Sequence, residues 1–322
     1  MIYAPIIVTV YDRLRHLQQS VDALQRNAPA AESELYLVSD GPAKAEHEPR
    51  IARVRDYARS ITGFKRTRLV FREKNFGAHA SFMAITRQVL DDHGRFIFLE
   101  DDVVAAPNFL NYMNDGLDFY ALHPRVFSIA GYTYSLRWPN SFAKDVFFLP
   151  SNCPWGFASW KDRWDTIDFS DKDRYSMVKR DKALRKRAVA TGRYMLGMFE
   201  SDSRPGEPPA PDIRIAFHQF FHDVFTVYPR LSKTMNIGLD GSGMNSHTDR
   251  KNKYLVQLDP SGARMVFDAD VRLDPEIVRR VRNFQNGNWV SQVLNRLRMV
   301  KFRYLQKRHA RRPAADEHAV RS

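Results

Sequence analysis

The sequence predicts an α/β fold, a mostly parallel central sheet flanked by helices, with a basic helical tail at its C-terminal end. Three observations carry that expectation. Short strand-like runs recur through the first hundred residues, at Ile6–Val10, Leu35–Val38, Arg68–Phe71 and Phe96–Leu99. Segments with apolar residues at helical spacing lie between them, the alternation expected of parallel strands wrapped by crossover helices. The last of these runs passes directly into Glu100-Asp101-Asp102, which puts a cluster of charge at the carboxyl end of a buried strand, the place where open α/β sheets bind ligands.

Taken in order, Ile6-Ile7-Val8-Thr9-Val10 reads as the first strand, followed by Tyr11-Asp12-Arg13 and a helix over about Leu14–Gln25, in which Leu14, Leu17, Val21 and Leu24 share one face. Leu35–Val38 is a second strand that stops at the turn residues Ser39-Asp40-Gly41-Pro42. A helix over Glu46–Ser60 leads to the strand Arg68–Phe71, and Asn75-Phe76-Gly77 opens a helix to about Leu90. After the acidic triplet a helix is expected from Pro107 to Leu122, then a strand over Val126–Ala130. The stretch from Trp138 to Trp164 reads as loop-rich and dense in aromatic residues, a core edge more than a pocket wall because tryptophan is mostly buried. A charged helix is expected over Asp173–Thr191 as a solvated face. The proline-rich stretch Pro205–Pro211 can be neither helix nor strand and reads as an extended or mobile loop. Asp212 follows it and heads a helix through Ile213, Ala216, Phe217, Phe220 and Phe221. A short strand at Val224–Tyr228 and an irregular segment from Pro229 to Gly243 come next, with Asn236-Ile237-Gly238 and then Asn245-Ser246-His247-Thr248.

Composition narrows the classes of function. At 322 residues with 43% hydrophobic content the chain can bury one large core or two small ones. It has no uninterrupted apolar stretch of the ~18 residues that a spanning helix needs, and its start shows no signal-peptide pattern. A cytoplasmic location, or one on the cytoplasmic face of a membrane, is therefore expected. The single cysteine, Cys153, excludes an internal disulfide framework and a cysteine-based zinc site, and reads as a small packed side chain. The net charge of +13 calls for an anionic partner, but basic residues crowd the C-terminal segment, so the body of the chain need not bind nucleic acid and no nucleic-acid partner is expected.

The triplet is the most informative feature. Three adjacent carboxylates at the end of a core strand repel one another, and burying them unpaired costs several kcal/mol each, as a rough figure. A hard divalent cation such as Mn²⁺ or Mg²⁺ would remove the conflict through one or two carboxylates, with water and phosphates completing its shell. The plainer alternative is a solvated acidic turn before the helix at Pro107.

The order strand-Asp12-Arg13, strand-Ser39-Asp40-Gly41, Asn75-Phe76-Gly77-Ala78-His79, Phe98-Leu99-Glu100-Asp101-Asp102, a helix-heading aspartate and a late Asn-Ile-Gly then His-Thr resembles the nucleotide-sugar glycosyltransferases of the Rossmann-like GT-A fold. Within that fold, Glu100 to Phe109 looks most like the N-acetylglucosaminyltransferase I group, and Asn236–Thr248 like bacterial family-2-type sugar transferases. The resemblance covers roughly residues 4 to 250. It implies a GT-A domain over 1–250, with a nucleotide-binding half at 1–102 and an acceptor half at 103–250, followed by a basic helical extension at 251–322.

Carried onto this sequence, the resemblance implies that Arg13 and Asp40 line the nucleotide pocket, Asp40 accepting a base N–H and Arg13 touching base or phosphate. It places His79 facing the nucleotide, Glu100 and Asp101 at the donor sugar or ribose, and Asp102 as the ligand of Mn²⁺ or Mg²⁺. Asp212 is implied as the general base of an inverting transfer, and His247 as a second metal ligand or diphosphate contact. Each has an ordinary alternative: a turn former for Asp40, a surface cation for Arg13, a helix cap for Asp212, surface histidines for His79 and His247. The chain also departs from the N-acetylglucosaminyltransferase I pattern, having Pro211-Asp212-Ile213-Arg214 where that group has a tryptophan-flanked acidic pair.

From Trp289 to Leu305, apolar residues at helical spacing alternate with arginine and lysine, the mark of a basic amphipathic helix. Such a helix suits an anionic membrane surface and a lipid-linked acceptor of a bacterial-type polysaccharide, though docking on its own domain gives the same pattern. The expected function is metal-dependent transfer of a sugar from a nucleoside-diphosphate donor, a uridine donor and N-acetylglucosamine being favoured by the resemblance alone, to a glycan or lipid-linked hydroxyl. A nucleotidyltransferase would instead show a glycine-rich, basic phosphate loop after the first strand, and Tyr11-Asp12-Arg13-Leu14-Arg15 is not one. A non-catalytic anion- or membrane-binding module is the remaining alternative.

Overall fold

The computed structural model describes residues 2–170, 174–202, 210–242 and 253–286. In chain order the elements are β1 (Ile6–Val10), α1 (Leu14–Gln25), β2 (Glu34–Ser39), α2 (Glu48–Arg59), β3 (Arg66–Phe71), α3 (Ala78–His93), β4 (Arg95–Glu100), β5 (Val103–Ala105), α4 (Phe109–Phe119), β6 (Val126–Ala130), β7 (Val146–Leu149), β8 (Phe157–Trp160) and α5 (Lys161–Trp164). They continue with α6 (Arg174–Arg180), α7 (Lys182–Thr191), α8 (Arg193–Asp202), α9 (Pro211–His222), β9 (Phe225–Pro229), β10 (Thr234–Asn236) and α10 (Pro275–Asn286).

Eight strands form one sheet in the order β3-β2-β1-β4-β8-β6-β9-β7. The pairs β3-β2, β2-β1, β1-β4 and β6-β9 are parallel, β8 runs antiparallel to both β4 and β6, and β7 runs antiparallel to β9 at the far edge, so the sheet is mostly parallel as expected. Because strand side chains alternate between faces, β1 divides its residues: Ile6, Val8 and Val10 pack with α1, α2 and α4, while Ile7 packs with α3, Phe157 and Ile215 of α9. The result is three layers, helix on sheet on helix. The edge strand β3 is half-buried and carries Arg66 and Arg68, charges that discourage pairing with another chain.

Two parts differ from the sequence expectation. The Trp138–Trp164 stretch is not simply loop: it supplies the fully buried strands β7 and β8, the second lying in the middle of the sheet. At four residues each they are too short to show a period. The charged helix expected over Asp173–Thr191 is broken at Asp181, whose backbone is extended and whose side chain accepts from the N–H groups of Ala183 and Leu184 and so caps α7.

Residues 253–286, within the expected extension, pack onto the main body. Val271 joins the α1 side of the core, and Val256, Ile277 and Val281 cover Tyr132, Phe147 and Tyr228. The amphipathic stretch from Trp289 lies outside the described residues. No helix among the described residues is long and apolar enough to cross a membrane.

Candidate functional site

Three parallel neighbours bring the sequence-predicted residues to one edge. Pairing Val10 with Ser39 and Thr9 with Glu100 aligns the carboxyl ends of β2, β1 and β4, so Asp40, Arg13 and the acidic triplet emerge side by side. The alignment extends past the strands, since Asp40 N–H donates to Val10 O at 3.3 Å and Asp101 N–H to Thr9 O at 3.0 Å.

Arg13 neutralises part of the triplet. Its Nε donates to Asp101 Oδ2 at 3.2 Å, its Nη2 binds Asp101 Oδ1, and the same nitrogen ion-pairs with Asp102 Oδ2 at 2.8 Å. The counter-ion that the sequence reading sought in a metal is thus supplied partly from within the chain. Burial works to lower the Arg13 pKa, but the charges of Asp101 and Asp102 outweigh it and hold the guanidinium above its ordinary value. Its Nη1 is buried with no hydrogen-bond partner among the described residues.

One guanidinium does not balance the cluster. Desolvation, then the charges of Asp102 and Asp101, push the Glu100 carboxyl up to about 8, with Asp212 adding to the rise. Burial likewise pushes Asp101 up to about 7 against the pull of Arg13. Asp212 therefore lies within electrostatic reach of Glu100, although the two are far apart in sequence. It also lies within reach of Cys153, whose buried thiol is pushed up to about 12, chiefly by desolvation.

Asp212 sits in the first turn of α9, after Pro211 at the helix start. The cap position belongs to Ala210, which gives no side-chain bond, so the cap role considered for Asp212 is not the one it has. Every other residue from Pro211 to Phe220 is buried, whereas Asp212 keeps partial exposure. Negative charge is favoured in a first helical turn.

Asp40 is more committed than expected. Its Oδ1 accepts from Gly41 N and Phe76 N at 2.9 Å each, and its Oδ2 from Gly77 N at 2.9 Å and Asn75 Nδ2 at 3.3 Å. The carboxylate thus clamps the Asn75-Phe76-Gly77 turn that starts α3, and a base N–H would have to compete with four internal donors. Gly41 makes the clamp possible, since a Cβ there would overlap the Lys74 carbonyl carbon. His79 stands exposed on the first turn of α3. His247 and the Pro205–Pro209 loop lie outside the described residues.

Sequence reasoning did not foresee the collar around Asp102. β10 pairs antiparallel with β5, Asn236 opposite Val103, and Ile237 N–H donates to Asp102 O at 2.8 Å. Asn236 Nδ2 reaches Asp102 Oδ1 at 3.5 Å and its Oδ1 accepts from Gly238 N at 2.8 Å. Gly238 lies so close that a Cβ would overlap Asp102 Oδ2 and stand 2.9 Å from Arg13 Nη1. The only advance signal was the Asn-Ile-Gly triplet in an otherwise irregular segment.

Whether a divalent cation suits this edge is decided by the donor set. Among the described residues no group of three or more His, Cys, Asp or Glu is arranged to hold a metal ion. Yet Glu100, Asp101 and Asp102 stand together, with Arg13 bonded to the two aspartates, and burial first and the charges of Asp102, Asp101 and Asp212 after it raise the Glu100 carboxyl. Oxygen ligands with surplus charge fit a hard cation completed by water and phosphate. A separate cavity of about 350 Å³, lined by Tyr3, Glu32, Glu34, Lys65 and His93 among others, lies at the amino ends of β1 and β2, away from this cluster.

The sequence profile of the glycosyl transferase family 2 matches residues 6–187, more than half of the chain and the part that carries Arg13, Asp40 and the triplet. A comparison with curated proteins returns no significant match. Among solved structures, the mannosyltransferase PcManGT from Pyrobaculum calidifontis, in complex with GDP-Man and Mn²⁺, is 13% identical with a TM-score of 0.37, over 67% of this chain and 68% of that one. The S. aureus protein TarS, residues 1–349, is 11% identical with a TM-score of 0.38, and this chain spans 60% of its length.

Proposed function

This chain belongs to glycosyl transferase family 2, and from that premise we propose that it is a metal-dependent, inverting enzyme moving a sugar from a nucleoside-diphosphate donor to an acceptor hydroxyl. The observation that carries the reading is that Glu100, Asp101 and Asp102 stand at one edge of the sheet, Arg13 bonded to both aspartates and Asp212 within electrostatic reach of Glu100, whose carboxyl is raised to about 8 by burial first and by these charges after it.

Asp102, with His247 from the late segment, would hold Mn²⁺ or Mg²⁺. When bound, the cation offsets the charge that develops on the departing nucleoside diphosphate. Arg13 would offer the N–H of its Nη1, which has no partner among the described residues, to an anion beside Asp102, which suits a phosphate oxygen. Glu100 and Asp101 would bound the donor sugar and ribose, with His79 and the turn held by Asp40 on the nucleotide side. Asp212 would take the proton from the acceptor hydroxyl as its oxygen attacks the anomeric carbon from the side opposite the leaving diphosphate. Its partly exposed place in a first helical turn supports that role, since it must be both charged and reachable.

A uridine donor, with N-acetylglucosamine as the sugar, rests on the resemblance of Glu100–Phe109 to the N-acetylglucosaminyltransferase I group. A glycan or lipid-linked acceptor, and placement on the cytoplasmic face of a membrane, rest on the basic amphipathic pattern after Trp289. The test is a thermal-shift panel of nucleoside diphosphates with and without Mn²⁺, on the wild-type protein and on Asp102→Ala. A uridine nucleotide should raise the melting temperature only with metal, and the variant should lose that response. A shift that needs no metal and survives in the variant would sink the reading.

A further inference from the structure

Asp102 is held by a collar whose own register is weakly determined. β5 and β10 share only three pairs, Thr234 with Ala105, Met235 with Val104 and Asn236 with Val103. A strand pair that short does little to fix its alignment, and a slip of one residue turns every side chain to the opposite face. Such a slip would carry Asn236, Ile237 and Gly238 away from Asp102. Something outside the pair must therefore pin it.

The residue immediately before β10 is Lys233, whose side chain is 0% exposed, and its ammonium ion-pairs with Asp259 Oδ2, also buried at 3%. The backbone on both sides of the pair is tied as well. Lys233 N–H donates to Gly131 O at 2.7 Å, and Ala106 N–H, one residue beyond β5, donates to Lys233 O at 2.8 Å. Asp259 N–H donates to Ser232 O at 2.8 Å, beside the single bridge between Ser232 and Leu258. The second Asp259 oxygen accepts from Ser261 N at 2.9 Å, and Asn108 Nδ2 lies 3.4 Å from the first. A buried charge pair is a poor source of net stability but a good device for fixing register, because neither partner can be left unpaired.

We infer that Lys233 and Asp259 are positioning residues for the transferase site: the pair locks the register of β10 against β5 and thereby holds Asn236, Ile237 and Gly238 around Asp102. The consequence for donor binding rests on the proposed role of Asp102; the positioning itself does not. Both residues lie outside residues 6–187, the segment matched by the family profile.

The experiment compares the wild-type protein with Asp259→Asn and with the double variant Lys233→Met with Asp259→Leu, which removes both charges and keeps the site packed. Two readouts are taken at a temperature well below melting. The first is amide hydrogen exchange at Ile237 and Gly238, whose N–H groups are bonded to Asp102 O and Asn236 Oδ1. Exchange there should accelerate at least about tenfold in both variants while the amides of β1 and β4 keep their protection. The second is the Mn²⁺-dependent affinity for uridine diphosphate, which should fall by about 10- to 100-fold, the usual effect of losing an outer support of a metal ligand. Unchanged exchange at Ile237 and Gly238 in the folded double variant overturns the inference whatever the nucleotide does. Faster exchange in the variants with no Mn²⁺-dependent nucleotide binding by the wild type upholds the positioning and removes the functional reading instead. A variant that melts lower but retains both local protection and affinity shows a merely structural pair and also overturns it.

Discussion

Arg13 and Asp102 are joined by a 2.8 Å ion pair across the carboxyl ends of β1 and β4, and the same guanidinium nitrogen serves Asp101. Removing it leaves two largely buried carboxylates without their cation. Arg13→Gln should cost about 3 kcal/mol, the low end for breaking a buried pair, because the Arg13 side chain keeps 20% exposure. With the internal counter-charge gone, Mn²⁺ should raise the melting temperature of the variant more than that of the wild type. Equal metal responses in a thermal-shift titration would show that Arg13 and the cation do not share these carboxylates.

Burial of these carboxyls, with their neighbours' charges adding to it, gives a pH dependence. Glu100 has a folded pKa of about 8 against an ordinary 4.5, so over that interval the folded chain holds a proton that the unfolded chain has released. Stability is therefore highest on the acid side and falls as pH rises from about 5 to 8, by up to about 1.4 kcal/mol per pH unit for one carboxyl. Asp101, raised to about 7, acts in the same direction. Glu100→Gln should flatten the slope and stabilise the metal-free protein at pH 8. Chemical denaturation at pH 5, 6.5 and 8 checks it; a variant as steep as the wild type would assign the slope elsewhere.

Asp40 is a structural clamp by its contacts, whatever else it binds. Asp40→Ala strands the N–H groups of Phe76 and Gly77 and should cost about 1 to 3 kcal/mol. The loss should concentrate at the start of α3, read as faster amide exchange at Phe76 and Gly77 with β1 still protected.

Gly238 tests the collar directly. A methyl group there overlaps Asp102 Oδ2, and both Asp102 and Arg13 are packed, so Gly238→Ala must displace one of them. Overpacking of this kind costs about 1 to 3 kcal/mol, and transfer should drop far more than a stability loss of that size would cause on its own. Wild-type rates in a folded Gly238→Ala protein would detach the collar from function.

The inner parallel strands β1, β2 and β4 were legible because each holds a nearly continuous apolar run buried on both faces, and such runs are visible without any partner. β7 and β8 were not: each is four residues long, set among Pro139, Pro150 and Pro154, and buried by tertiary packing that no local pattern announces. The triplet stood out because adjacent acids after Leu99 contradict burial. What resolves that contradiction lies far along the chain, in Arg13, Asn236 and Gly238, and spacing of that kind carries no period to read. The Lys233–Asp259 pair was hidden for the same reason, an ordinary lysine and aspartate until the fold buries both.

Asp212 shares the electrostatic neighbourhood of Glu100 and is the partly exposed member of an otherwise buried helix start. Asn has nearly the same shape as Asp but cannot accept the acceptor's proton, so Asp212→Asn should keep the fold and the donor site. Transfer should fall by about 10²- to 10⁴-fold, the usual worth of a positioned general base, with donor KM little changed. A loss confined to donor affinity would instead make Asp212 a binding residue, and an unimpaired kcat would leave the base to another carboxylate of the cluster, with Glu100 the first to be replaced by Gln.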